Sequence, residues 1–327
     1  MKKEVSNDEC CIEIDRDQVI AQIVSCGIYK EPGLSIQQWQ GEKQSEYYVV
    51  SATQKKYSYR GMLNSRFQRQ NYGVNYYSNG DTYFGGFDID NREKHGAYLF
   101  SPVIEDSYVK HEMYFGLWKD NLKDHHGIYT WIKQTKDTDD FSNADMDAFL
   151  GDIQNEKMKR GCYFYKTGND FYLYYGSFDD SGNKNDDKAF IYDNKRDRVF
   201  CGKIVKGKFV NAYLMFHDEE GNFSTMIRVD YDENQSPVNI IKFEDIELKI
   251  RDEKLKEMSQ FRTIIFEEDC FVILYEKWNE IKCFINKELN NPEIFNDDNY
   301  FPKLMKLSAS HNDISLYRKL EKIIRKE

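Results

Sequence analysis

Between about residue 46 and residue 230, apolar and polar positions alternate, and the apolar ones set aromatic rings around single glycines. The stretch from Tyr83 to Trp131 shows this best. It reads Tyr83-Phe84-Gly85-Gly86-Phe87, Gly96-Ala97-Tyr98-Leu99-Phe100, Tyr114-Phe115-Gly116-Leu117-Trp118 and Gly127-Ile128-Tyr129-Thr130-Trp131. Two patterns take turns, aromatic-x-Gly-x-aromatic and Gly-x-aromatic-x-aromatic. Each has period two, so its marked residues share one face of a β-strand. A glycine between two rings leaves a notch, and alone it weakens the strand through backbone entropy and lost packing. A ring from the neighbouring strand laid across the notch offsets that loss. The pattern therefore predicts hairpins, each half of a core that the next one completes.

The first pattern recurs as Tyr59-x-Gly61-x-Leu63, Tyr83-x-Gly85-x-Phe87, Tyr114-x-Gly116-x-Trp118, Phe149-x-Gly151-x-Ile153, Tyr174-x-Gly176-x-Phe178 and Phe200-x-Gly202-x-Ile204. Its glycines follow at intervals of 24 to 35 residues, the size of a repeat unit. The second pattern recurs as Gly73-x-x-x-Tyr77, Gly96-x-Tyr98-x-Phe100, Gly127-x-Tyr129-x-Trp131 and Gly161-x-Tyr163-x-Tyr165. It then decays: Phe190, Tyr192 and Tyr213 keep rings, but Lys188 and Asn211 stand where glycine is expected. Further copies are candidates near Tyr47-Tyr48 and at Phe223-Thr225-Ile227.

These units resemble the membrane occupation and recognition nexus (MORN) repeat family. Its unit runs roughly Tyr-x-Gly-x-Trp/Phe, a polar turn, His-Gly-x-Gly-x-Tyr-x-Tyr, then Asn-Gly. Gly73 to Phe87 matches best, with Tyr77-Ser78-Asn79-Gly80-Asp81 supplying the Asn-Gly link. The His-Gly-x-Gly element is reduced to one glycine after His95 or His126, and the last two units lose it. The resemblance implies a mainly β fold, an elongated twisted antiparallel sheet of stacked hairpins that exposes one long aromatic and polar groove. It also implies a scaffolding role, as a structural component of a ciliary axoneme or related microtubule assembly, similar to radial-spoke proteins. The alternative it carries is a phosphoinositide-binding or membrane-contact adaptor. Low proline beside abundant Asn, Lys, Tyr, Phe and Ile also matches translation from an AT-rich genome, as in several ciliated or flagellated protists.

Three regions follow from the change of period. Residues 1–45 form an N-terminal segment with a short amphipathic helix (Val19, Ile20, Ile23, Val24) ended by Pro32-Gly33. Residues 46–231 are the hairpin array. It is interrupted by a longer link, Ser101 to Met113, and by an acidic loop, Gln134 to Asp147, that lacks the glycine and glutamate of a calcium loop. Asp232 to Val238 reads as a boundary, and residues 240–327 as a helical module. There, Glu247 to Phe261 reads as one helix. A second helix carries Phe271, Leu274, Trp278, Ile281 and Ile285 at spacings of three and four. A last one carries Ile314, Tyr317, Leu320 and Ile324 on one face, with Lys319, Lys322, Arg325 and Lys326 toward its C-terminus. These apolar faces are candidate partner-binding surfaces, and two readings stay open: they cap the end of the sheet, or they dock outside it, for example near acidic tubulin surfaces.

Composition narrows the chemistry. The 24 Tyr and 22 Phe carry the core of a chain whose mean hydropathy is only −0.77. A net charge of −10 argues against nucleic acid or anionic lipid as the main partner and favours proteins with basic surfaces. The seven cysteines include no Cys-x-x-Cys pair, which points to reduced thiols in a cytosolic compartment. No secretory signal or membrane span is expected. The sequence has no P-loop, dinucleotide fingerprint or Gly-x-Ser-x-Gly element, so no enzyme, cofactor or metal is expected.

Overall fold

The computed structural model describes residues 34–37, 48–52, 58–64, 68–77, 79–136 and 144–268. They are mainly β, built of antiparallel hairpins and followed by one helix. The chain divides into two units. The first holds β1 (Leu34–Gln37), β2 (Tyr48–Ala52), β3 (Ser58–Leu63), β4 (Arg69–Tyr76), β5 (Thr82–Asp88), β6 (Asn91–Leu99) and residues 112–119 of β8 (Tyr108–Lys119). Successive strands pair from β1 to β6, and β6 pairs with β8.

The second unit holds β7 (Val103–Ile104), which pairs with the start of β8, and β9 (Leu122–Thr135) from Asp124 onward. There follow β10 (Asp145–Gln154), β11 (Lys157–Thr167), β12 (Asp170–Ser177), β13 (Asp186–Asp193) and β14 (Arg198–Val205). The unit is completed by β15 (Lys208–His217), β16 (Phe223–Tyr231), β17 (Pro237–Lys242) and α1 (Leu248–Glu268). Each strand from β9 to β17 pairs with the next.

The repeat glycines lie opposite one another. In the first unit Gly61, Gly73, Gly85, Gly96 and Gly116 form one cross-strand ladder. In the second, Gly127, Gly151, Gly161 and Gly176 form another. Rings lie over six of these glycines, but not always from the neighbouring strand. Tyr59 of β3 lies over Gly73, and Tyr83 of β5 over Gly96, where an added Cβ would meet the ring at 2.5 and 2.6 Å. Gly85 and Gly176 are covered from their own strands, by Tyr83 and Tyr174 at 2.7 Å. Phe149 serves both Gly151 and Gly161, at 2.9 Å. The tyrosine folds along its own strand because its hydroxyl finds a backbone acceptor there. Tyr83 Oη donates to the Gly86 carbonyl (2.8 Å), Tyr114 to Leu117 (2.9 Å) and Tyr174 to Ser177 (2.6 Å).

The aromatic four residues after each tyrosine then packs edge-on between two repeats. Phe87 stands T-shaped to Tyr83 (5.1 Å) and Tyr59 (5.4 Å), and Trp118 to Tyr114 (5.2 Å) and Tyr83 (5.3 Å). In the second unit Phe178 does the same with Tyr174 (5.2 Å) and Phe149 (5.7 Å). The ring quadrupole favours this edge-to-face geometry.

Turn chemistry sets the register. Ile89-Asp90, Asp120-Asn121, Asn155-Glu156 and Lys206-Gly207 all have positive φ at both positions, the type I′ hairpin whose twist matches that of the strands. Asn71, Lys94 and His125 also have positive φ, each two residues before a second-pattern glycine. A second loop type begins with aspartate. Oδ1 of Asp179, Asp218 and Asp232 accepts two backbone N–H groups, from the residues two and four further on, at 2.8 to 3.0 Å.

That second loop corrects the expected boundary. Asp232-Glu233-Asn234-Gln235-Ser236 is one more hairpin loop, and β17 continues the sheet beyond it. Two further corrections concern register. The ladder positions opposite Gly202 are Ala189 and Ala212, not Lys188 and Asn211. Pairing one residue over turns Phe190, Tyr192 and Tyr213 to the other face of the strand. Likewise, Asp145 and Asp147 are not part of a solvated loop but lie within β10.

The face carrying Phe190 and Tyr192 receives α1, which begins one residue later than expected and runs past Phe261. Phe261 packs on Phe190 at 5.1 Å, and Met258 is fully buried. Glu257 bonds Lys188 (2.7 Å) and Lys254 (3.1 Å). Arg262 grips Asp197 with two bonds of 2.9 and 2.6 Å, and Tyr192 Oη donates to the same carboxylate at 3.0 Å. Helix α1 therefore covers sheet. The expected N-terminal helix and the candidate faces at Phe271, Leu274, Trp278, Ile281, Ile285, Ile314, Tyr317, Leu320 and Ile324 lie outside the described residues.

Two outcomes are expected in denaturation measurements. Gly96→Ala destabilises by about 1–3 kcal/mol, because its methyl group must displace the Tyr83 ring; an unchanged midpoint would remove the notch argument. Arg262→Ala costs about 1–3 kcal/mol at neutral pH by breaking the charge-assisted pair. Burial raises the Asp197 carboxyl, but the bonds from Arg262 and Tyr192 outweigh it and hold the group below its ordinary value. The stabilisation is therefore present above the unfolded value of about 3.9 and is lost as pH falls through the lower folded value. The gap between wild type and Arg262→Ala should narrow in acid.

Candidate functional site

Successive positions along the strands form rows that run across each unit. Next to the glycine ladder is a row of large side chains, Tyr129, Phe149, Tyr163, Tyr174, Ile191, Phe200 and Leu214 in the second unit. Two residues further from the ladder comes Trp131, Asp147, Tyr165, Tyr172, Asp193 and Arg198. In the first unit the row nearest the ladder is Tyr59, Asn75, Tyr83, Tyr98 and Tyr114. Most of the inner-row rings are buried, so the aromatic face is not an open groove. What solvent reaches is mainly the outer row, where Tyr165 is 47% exposed and Trp131 half-buried.

The rings of both units are lined with cations from the chain itself. In the first, the Arg92 guanidinium lies 4.3 Å from the Trp118 ring, 5.2 Å from Tyr98 and 5.8 Å from Tyr83. The Asn121 carbonyl holds it there by accepting a bond of 2.7 Å. In the second, the Lys184 ammonium lies 5.0, 5.1 and 6.0 Å from Tyr174, Tyr172 and Tyr163. Burial pushes its pKa down. Such contacts are worth about 0.5–2 kcal/mol, more as water is removed.

Carboxylates intersperse with the rings. Asp81 is buried and satisfied, accepting from Tyr98 Oη (2.7 Å), Asn79 (2.8 Å) and the Ser101 N–H (2.7 Å). Asp147 stands between Trp131 and Tyr165 in the outer row, and accepts one bond, from Tyr163 Oη at 3.1 Å. Burial raises its pKa; the Tyr163 bond opposes that and the charge of Asp145 adds to it. The Tyr163 hydroxyl is pushed up in turn, by burial and then by Asp147.

Sequence reasoning passed over Asp81 and placed Asp147 in a loop, although a signal for their positions was present. Asp81-x-Tyr83-x-Gly85, Glu112-x-Tyr114-x-Gly116 and Asp147-x-Phe149-x-Gly151 place a carboxylate two residues before the first pattern in three repeats. His126 meets Asp152, and burial lowers His95, both beside ladder glycines. Cys162 and Cys201 are buried thiols; burial pushes Cys201 up to about 11, which keeps it protonated. Among the described residues no group of three His, Cys, Asp or Glu could hold a metal ion, and no helix is long and apolar enough to cross a membrane.

No protein-family model matches the chain, and no curated protein matches it.

The raised carboxyl of Asp147 has a measurable consequence. Its charge costs stability once pH exceeds the unfolded value of about 3.9, and the full cost is reached above the folded value. Asp147→Asn keeps an acceptor for Tyr163 and removes the charge, so it should melt higher than wild type at pH 7. The gain should vanish in melts near pH 3; a lower melting temperature at pH 7 would contradict the burial argument.

Proposed function

We propose that this chain is a non-enzymatic MORN-like repeat scaffold that binds protein partners in a ciliary axoneme or related microtubule assembly. The observation that carries the reading is the ladder itself. Glycines and covering rings recur strand after strand in register, and arrays built this way commonly present extended binding surfaces. The outer row adds half-buried rings beside carboxylates, which suits proteins with basic surfaces better than anionic lipid. The net charge of −10 points the same way. The ciliary setting rests on the family resemblance and on the compositional hint, and the absence of catalytic motifs in the sequence supports the non-enzymatic part.

The test is fractionation of ciliated or flagellated cells expressing the tagged full-length chain. Retention in the detergent-extracted cytoskeleton is the expected outcome, with little co-flotation on phosphoinositide-containing vesicles at about 0.15 M salt. Release into the detergent extract together with firm vesicle binding would replace the scaffold with a membrane-contact adaptor.

A further inference from the structure

The cations of the second unit are unevenly distributed over its rings. Lys184 fills the space over Tyr163, Tyr172 and Tyr174, and Lys133 lies 4.0 Å from the Tyr108 ring. Trp131 differs. Among the described residues no Lys or Arg lies over it; its ring contacts are Tyr129, stacked at 4.3 Å, and Tyr163 at 6.5 Å. Beside it, the half-buried Asp147 carboxylate accepts only the Tyr163 hydroxyl and has no cation partner among the described residues. An ionised carboxylate offers about four acceptor sites, so this one can accept further bonds. Tyr165, on the other side of Asp147, is exposed, and its hydroxyl is engaged by Thr167 at 2.7 Å.

We propose that Trp131, Asp147, Tyr163 and Tyr165 form a recognition site for an arginine side chain on a basic segment of a protein partner. The inference rests on the reading of the array as a partner-binding scaffold and names the chemistry of that partner. A guanidinium is planar, stacks on an indole or phenol face, and directs its N–H groups edgewise into a carboxylate. Those are the two surfaces presented here side by side. The chain already makes the stacking half of this contact, with Arg92 against Trp118. Charge complementarity selects the same partner, since the chain carries −10 overall and Asp145 adds a second carboxylate two residues from Asp147. An ammonium would satisfy the charge but lacks the plane that matches the rings, so arginine should exceed lysine.

The test uses the full-length protein and three acetylated pentapeptides, Gly-Xaa-Gly-Xaa-Gly with Xaa as arginine, lysine or citrulline, followed by fluorescence anisotropy. Citrulline keeps the shape of arginine and removes the charge. The arginine peptide should bind about tenfold tighter than the citrulline peptide, roughly 1.4 kcal/mol by that ratio, and tighter than the lysine peptide. Asp147→Asn and Trp131→Ala should each abolish the margin. Glu219→Gln removes the same charge from an exposed loop and should preserve it. If arginine binding survives Asp147→Asn, or falls equally with Glu219→Gln, attraction is diffuse and the site is overturned. Should Trp131→Ala fail to fold, Trp131→Leu takes its place, with circular dichroism as the check. Retention in the cytoskeletal fraction separates the two proposals. A variant that loses peptide binding yet stays retained refutes this site as the docking contact and leaves the scaffold standing, whereas release of the wild type refutes the scaffold while the peptide result stands by itself.

Discussion

A phenol ring folded flat over a glycine, with its hydroxyl tied to a carbonyl three residues on, is the contact from which the rest of the structure is built. Tyr83 makes it over Gly85 and Gly96, and Tyr174 over Gly176. Strand glycine costs roughly 0.5–1 kcal/mol in backbone entropy. A buried aromatic side chain removes about 150–250 Å² from water, worth at most about 4–6 kcal/mol before ordering costs. The ring wins by a wide margin, so the glycine is retained where it admits the ring. The hydroxyl bond also answers the polarity of tyrosine, since a buried phenol without a partner would forfeit much of that gain.

The same contact explains how the units can differ at their ends. Where the large residue of the inner row is aliphatic, as at Ile191 and Leu214, the ladder positions two residues before them are Ala189 and Ala212. A methyl group there stands two residues from an aliphatic side chain, where the ladder glycines of the second unit stand two residues from a ring. The aromatic load then moves to the opposite face, where Phe190 and Tyr192 meet Phe261 and the Asp197–Arg262 pair of α1. Helix and ring stack are thus alternative ways of covering a sheet, one on each face.

Electrostatics follows packing. Once rings line the strands, cations gain a surface that attracts them without a counter-ion, as Lys184 and Arg92 do. Carboxylates in the same rows are then satisfied by hydroxyls and backbone donors, as at Asp81, or by arginines, as Arg198 does for Asp193. Asp81 accepts three bonds, while among the described residues Asp147 accepts only the Tyr163 hydroxyl.

Much was legible in the chain itself. Period-two aromatics around Gly85, Gly96, Gly151 and Gly176 determined strands, hairpins and the facing of the rings, because strand alternation is a local property of the backbone. Tertiary structure alone decided which glycine faces which, and from which strand its ring comes. Tyr83 covers its own Gly85 as well as the neighbouring Gly96, a choice set by where its hydroxyl finds an acceptor. It also decided register where the pattern thins: at β13 a one-residue difference separates Lys188 from Ala189 and exchanges the faces. The Asp232 loop looks like a linker in composition, and only its hydrogen bonds make it a hairpin turn that adds β17. The setting of Asp147 within β10 was least visible. Burial and cross-strand bonding are relations between strands, and a single chain read in order does not contain them.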